Sequence, residues 1–342
     1  MNFEFLQIFA YLLLGAAVTF YVVLDGFDLG VGSLHLFAGN DKNKRLFLNS
    51  IGPFWDGNEV WLVIIVGVMF VAFPDMYAAV LSGFYLLMMC FLSAIIFRAV
   101  AIEFRSKHPS KAWRLTWDAI FWLSSLGITF GAGVTLGNLI KGVPLDATRE
   151  LYYPFSSLFT AYPVCVGILS IFLFAMHGNH FLLMKTEGEL HNKLIRWIPY
   201  TIGLFVITFI IMTVWTALEF PYMHDHFLEY PMFWSIPLLL VVIISTMCFF
   251  TAKKYHGWAF IMSMLTISLL FVLYMIGTFP KLVISSLGKD SLSLTLYNAS
   301  SSHTTLTVIF VIACIGVPAI LAYGWVLYHI FRGKTELHEH SY

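Results

Sequence analysis

The chain has 342 residues, of which 59% are hydrophobic, 17% aromatic and 11% charged, with a mean hydropathy of +0.83. A soluble domain carries about 25% charged residues, so this composition cannot cover a water-facing surface and excludes soluble-enzyme folds. The apolar residues run in long blocks instead of alternating, which excludes a transmembrane β-barrel. A net charge of zero argues against nucleic acid or polyanions as partners.

The chain therefore reads as an all-α integral membrane protein. Runs of ~20 apolar residues are long enough to span ~30 Å of hydrocarbon. About nine occur, at 5–36, 51–73, 77–104, 113–139, 155–184, 197–218, 233–252, 257–279 and 303–331. The first has no Arg-Lys start followed by a small-residue cleavage site, so it is expected to be a retained helix, not a signal peptide. Odd-to-even connections and the tail hold 15 of the 19 Lys and Arg residues, leaving Lys141, Arg149, Lys281 and Lys289 on the other side. The N-terminus is thus expected outside and the C-terminus in the cytoplasm. No extramembrane domain fits: residues 1–342 form a single polytopic domain, with helical halves 1–190 and 191–342.

Ionisable groups inside a membrane cost roughly 2.5–3.5 kcal/mol each on insertion scales, so each needs a reason. Helix 1 carries Asp25-Gly26-Phe27-Asp28-Leu29-Gly30-Val31-Gly32. At 1.5 Å per residue Asp25 lies roughly 30 Å below the outer start, towards the cytoplasmic leaflet. Asp25, Asp28 and Gly32 share one face, and Gly26 and Gly30 form a small-residue ridge that lets another helix approach. Helix 2 begins around Pro53, which suits a first helical turn. Asp56 and Glu59 then share a face near the positive end of the helix dipole. Helix 3 brings Arg98 and Glu103 to the same depth, with Arg98 as counter-ion, and helix 4 brings Asp118. This inner cluster suits proton uptake from the cytoplasm; a static ion-paired scaffold is the alternative, and the simpler reading for Glu103 and Asp118.

Other candidates are weaker. His177 and His180 are three apart on helix 5 but have no second ligand pair nearby in sequence, so a satisfied pair is expected rather than a haem or metal site. His224 and His226 are expected at the surface, and residues 336–340 in a solvated tail. Cys90, Cys165, Cys248 and Cys314 sit in apolar runs without CxxC spacing and are expected to pack, not to form disulfides or ligate metal. There is no Walker loop, GxGxxG turn or HExxH pair.

The stretches Asp25–Gly32 and Pro53-Phe54-Trp55-Asp56-Gly57-Asn58-Glu59-Val60-Trp61-Leu62 resemble the signatures of subunit II of cytochrome bd-type quinol oxidases. Supporting stretches are Phe73-Pro74 through Tyr77-Ala78, Ser82–Tyr85, Phe97-Arg98, Phe104–Lys107, Gly137–Leu139 with Gly142–Pro144, Gly188–His191 and Asn298–Ser302. The resemblance implies a heterodimer in the bacterial cytoplasmic membrane, with a subunit I that carries three haems (two b-type, one d-type) and oxidises quinol. It implies no cofactor held by this chain alone. Small single-helix accessory subunits, and a structural quinone or lipid, occur in some relatives. The family's proton-route residues map onto Asp25 and Asp56, and Asp28 and Arg98 match motif positions; Glu59 stands where the family often has Gln.

The combined expectation is nine spans arranged as two four-helix bundles plus one extra helix. The chain would stabilise subunit I and feed it protons through Asp25, Asp28, Asp56, Glu59 and Arg98. Competing readings are an autonomous proton-coupled transporter or channel, and a haem-bearing cytochrome b.

Overall fold

The computed structural model describes residues 1–149, 151, 154–288 and 290–337. Nine helices among these are long and apolar enough to cross a membrane. Helix α1 (Phe3–Leu34) opens on Asn2, whose side chain accepts the Glu4 N–H, and runs into one tight turn at His35–Ala38. A short α2 (Asp41–Ile51), capped by Asn40, precedes α3 (Trp55–Ala72), α4 (Pro74–Gly83), α5 (Tyr85–Phe104) and α6 (Lys111–Lys141). Then come α7 (Ala161–Lys185), α8 (Gly188–Glu219), a short α9 (Asp225–Glu229), α10 (Ser235–Ala252), α11 (His256–Thr278) and α12 (His303–Ile330).

Two boundaries differ from the sequence reading. The apolar run 77–104 is two helices: the chain turns at Phe84 (φ −99°, ψ 22°) between α4 and α5. Phe84 is fully buried there, so tertiary packing sets a break that hydrophobicity alone does not mark. Pro53 lies in the α2–α3 turn, before the helix that begins at Trp55, so it separates two helices instead of opening one. The cysteines also need correction. All are free, but Cys90, Cys248 and Cys314 lie on the outer face and Cys165 alone joins a core cluster. In a bilayer an apolar run need not point inward.

The centre is the pair α1–α7. Helix α1 packs on α3, α6, α7, α11 and α12, and α7 packs on α1, α6, α8 and α11. Close approach is set by Gly30 and Gly178: a Cβ on Gly30 would strike the Phe174 carbonyl, and one on Gly178 the Gly30 backbone. Asp25 and Asp28 are buried on the other side of α1, towards α3 and α5. At the α1-start end, residues 279–288 and 290–302 fold back over the helices. Strands β1 (Lys281–Val283) and β2 (Leu294–Thr295) pair antiparallel, and Gln7 donates to Ser300 Oγ at 2.8 Å.

Candidate functional site

Four helices bring polar side chains together beneath the α1–α3 contact. Arg98 of α5 is fully buried. Its Nη2 lies 2.9 Å from Asp25 Oδ1, and its Nη1 donates to Glu59 Oε1 at 3.1 Å. Asp28, one turn beyond Asp25 on the same face, is equally buried. Its Oδ2 accepts Asn58 Nδ2 at 2.7 Å. That amide also donates to the Leu24 carbonyl at 3.1 Å, and Asn58 Oδ1 accepts the Tyr328 hydroxyl at 3.0 Å. Asn58 thus ties α1 and α3 to α12 and fixes which oxygen of Asp28 is taken.

The cluster keeps unspent hydrogen-bonding capacity. Arg98 Nη2 and Asp25 are close enough for an ion pair but out of line for a hydrogen bond. Asp28 Oδ1 and Arg98 Nε also lack a hydrogen-bond partner, and the Tyr21 hydroxyl lies beside Asp25. Buried polar groups are usually satisfied, so several unsatisfied ones converging on one place is unusual. Charge is unbalanced too. Fully ionised, Asp25, Asp28 and Glu59 set three negative charges against one guanidinium. Taking up a proton relieves that imbalance, which is the property a proton-holding site needs.

Not every expected residue joins. Asp56 is exposed on this chain, a turn from Glu59, and feels it only through space. Glu103 is half-buried on the last turn of α5. Asp118 belongs to a second, ion-paired cluster, the static role that the sequence makes its simpler reading. Its Oδ1 accepts His35 Nε2 and Arg105 Nε, each at 2.7 Å, and its Oδ2 accepts Lys44 Nζ at 3.0 Å. Arg105 Nη2 donates at 2.7 Å to Asp41, which also takes Arg114. Arg98 and Arg105 are seven residues apart, about 10.5 Å along a helix, so the two guanidinia serve different carboxylates.

This second cluster staples α6 to α2 and to the turn after α1. Asp118→Asn is expected to leave the buried Arg105 with only the half-exposed Asp41 as its anion, at a cost of up to roughly 3–5 kcal/mol. Asp41→Asn removes a half-exposed partner and is expected to cost about 0–1 kcal/mol. Thermal unfolding of the purified complex checks the ranking; equal losses would refute it.

Both ring nitrogens of His177 are engaged, by the Val23 carbonyl at 2.9 Å and Ser263 Oγ at 2.7 Å. Those of His180 contact the Met176 carbonyl at 2.8 Å and Thr251 Oγ1 at 3.1 Å. Among the described residues no group of three or more His, Cys, Asp or Glu could hold a metal ion. Neither the His177 ring nor the His180 ring keeps a free nitrogen for a haem iron. His226 Nε2 donates to the Phe279 carbonyl at 2.7 Å, so it is a loop staple more than a free surface group. Of the expected tail, 336–337 are described and His338–His340 lie outside the described residues, as does Lys289.

The comparisons decide the family. The profile of the family described as cytochrome bd terminal oxidase subunit II matches residues 6–331. The chain belongs to that family. Cytochrome bd-I ubiquinol oxidase subunit 2 of Escherichia coli is 33% identical, over 98% of this chain and 97% of the relative. Cytochrome bd ubiquinol oxidase subunit 2 of Bacillus subtilis is 33% identical over 92% of each chain. A chain of the solved bd oxidase from Geobacillus thermodenitrificans shares the fold, with a TM-score of 0.75, 16% identity and coverage of 95% of this chain and 98% of that one. The protein is accordingly a multi-pass subunit of a bacterial membrane quinol oxidase, an oxidoreductase whose subunit II implies a subunit I.

Sequence reasoning missed Asn58, Tyr21, Tyr328, His35 and Arg105. Asn58 stands inside the Pro53–Leu62 motif next to Glu59, and Tyr21 is one turn before Asp25 on its face, so both carried a signal. Tyr328 sits 270 positions from Asn58 and had none.

Proposed function

We propose that this chain is the haem-free partner of a haem-bearing subunit I, which it stabilises and supplies with cytoplasmic protons for the reduction of O₂ to water. Subunit I then holds three haems and takes electrons from quinol. The proton route uses Asp25, Asp28, Glu59 and Arg98, with the exposed Asp56 as its outer member. The observation that carries this reading is the excess of buried carboxylate around Arg98, with polar atoms left to bind water. A water needs about two to four such partners. The fully engaged rings of His177 and His180 support the haem-free assignment.

Lys and Arg placement supports an outside N-terminus and a cytoplasmic C-terminus, with the cluster at the cytoplasmic side. Contacts of α1 with α3 and α6 and of α5 with α6 support a first four-helix bundle. Those of α7 with α8 and α11 and of α10 with α11 support a second, with α12 as the extra helix.

Asp25→Asn and Asp56→Asn are each expected to lower quinol oxidase turnover, or the membrane potential it generates, with haem content near normal. Turnover and potential in reconstituted vesicles, with a reduced-minus-oxidised spectrum, test this. Unchanged turnover and potential in the assembled enzyme defeat the proton role; lost haem favours a scaffold.

A further inference from the structure

We propose that a pocket at the shared end of α7, α11 and α12 binds the phosphate of an anionic phospholipid, with Lys185 and Arg332 as its cationic ligands. The pocket holds about 190 Å³ and is walled by Phe54, Phe181, Phe260 and Tyr328, with Lys185 and Arg332 lining it. It lies at the opposite side of Asn58 from Asp28, and this assignment is independent of the proton role.

The deciding feature is Lys185, the last residue of α7, which is 8% exposed. Its Nζ donates to the Phe331 carbonyl at 2.6 Å and stands 5.0 Å from the Phe54 ring and 5.8 Å from that of Phe181. Among the described residues it makes no ion pair, whereas the buried Arg98 and Arg105 each hold carboxylates. A buried ammonium carries a desolvation cost that a carbonyl and two ring faces offset only in part. The ammonium has three N–H groups, so donors remain for an anion. More positive charge is drawn to the same end. Lys334 Nζ donates to the Thr186 carbonyl at 2.9 Å, and the Thr335 N–H to the Lys185 carbonyl at 2.8 Å, which holds the segment bearing Arg332 in place.

Two cations at the mouth repel hydronium, so this is not a proton inlet. Aromatic walls at the ends of membrane spans suit a glycerophosphate whose acyl chains continue into the bilayer, better than a freely soluble anion. Tyr328 stacks on Phe54 at 4.7 Å, so an occupant would brace α12 against the α2–α3 turn.

The test uses the purified complex, delipidated and rebuilt into nanodiscs of phosphatidylcholine alone or with phosphatidylglycerol. Wild type is expected to gain a few degrees in thermal midpoint from phosphatidylglycerol and to retain that lipid in native mass spectrometry. Lys185→Gln should lose most of the gain and the retained lipid, and Lys185→Arg should keep both. Arg332→Gln, on the rim, should show a partial loss and serves if Lys185→Gln does not assemble. A chain ending at Leu337 should behave as wild type. Equal gains in wild type and the Gln variants, or no gain in wild type, overturn the proposal. So does an equal gain from inorganic phosphate in detergent, which would make the ligand a free anion. A gain confined to the shortened chain would place the protein's own terminal carboxylates in the pocket and overturn it as well.

Discussion

Arg98→Ala is expected to reduce the yield of intact oxidase severely and to lower the thermal midpoint of what assembles. The guanidinium is fully buried and reaches two helices at once, Asp25 of α1 through Nη2 and Glu59 of α3 through Nη1. Its removal leaves buried carboxylates with no cation, a loss of roughly 3–5 kcal/mol. Lysine restores the charge but not the planar fork, so Arg98→Lys should recover yield only in part. The cause can be isolated by pairing variants. If the damage comes from stranded negative charge, Asp25→Asn should restore some stability to Arg98→Ala, a coupling that a double-mutant cycle reads directly. Size-exclusion profiles and thermal midpoints of the haem-containing complex supply the measurement. Wild-type yield and midpoint for Arg98→Ala would show that the cluster does not hold the helices together.

The contrast between the two ionic clusters shows what the sequence could and could not reveal. Helical spacing placed Asp25 and Asp28 on one face, and counting crossings put Arg98 at their depth, because period and rise are fixed by the backbone. The same depth argument set Asp118 beside them, with a static ion-paired role as its simpler reading, and could not separate the two groups. Depth says nothing about position around the bundle, and Asp118 faces the turn after α1, where His35 meets it. Tyr328 illustrates the other limit. It reaches Asn58 from the far end of the chain, through packing of α12 on α1 and α3 that no local pattern encodes. The Gly26–Gly30 ridge was legible as a docking surface, but not that α7 would be its partner.

That ridge carries the second large effect. Gly30→Ala is expected to prevent the complex from accumulating, although it adds a single methyl group. Overpacking a core ordinarily costs about 1–3 kcal/mol because side chains can yield. Here the added carbon meets the Phe174 carbonyl and Gly178 N, which are backbone atoms of α7 and cannot rotate away. The helices would have to separate along the central contact of the protein, shifting α1 and with it the positions of Asp25 and Asp28 against α3 and α5. Gly178→Ala should fail in the same way from the other side, since its new carbon would meet the Gly30 backbone. Gly127→Ala and Gly67→Ala provide the control: nothing lies within 4 Å of a Cβ at either, so both should assemble normally. If all four variants accumulate equally, close backbone contact between α1 and α7 is not what holds the central helix pair together. If only the first two fail, Gly30 of the Asp25–Gly32 motif is there to let α7 dock on α1, whose opposite face carries the acidic residues.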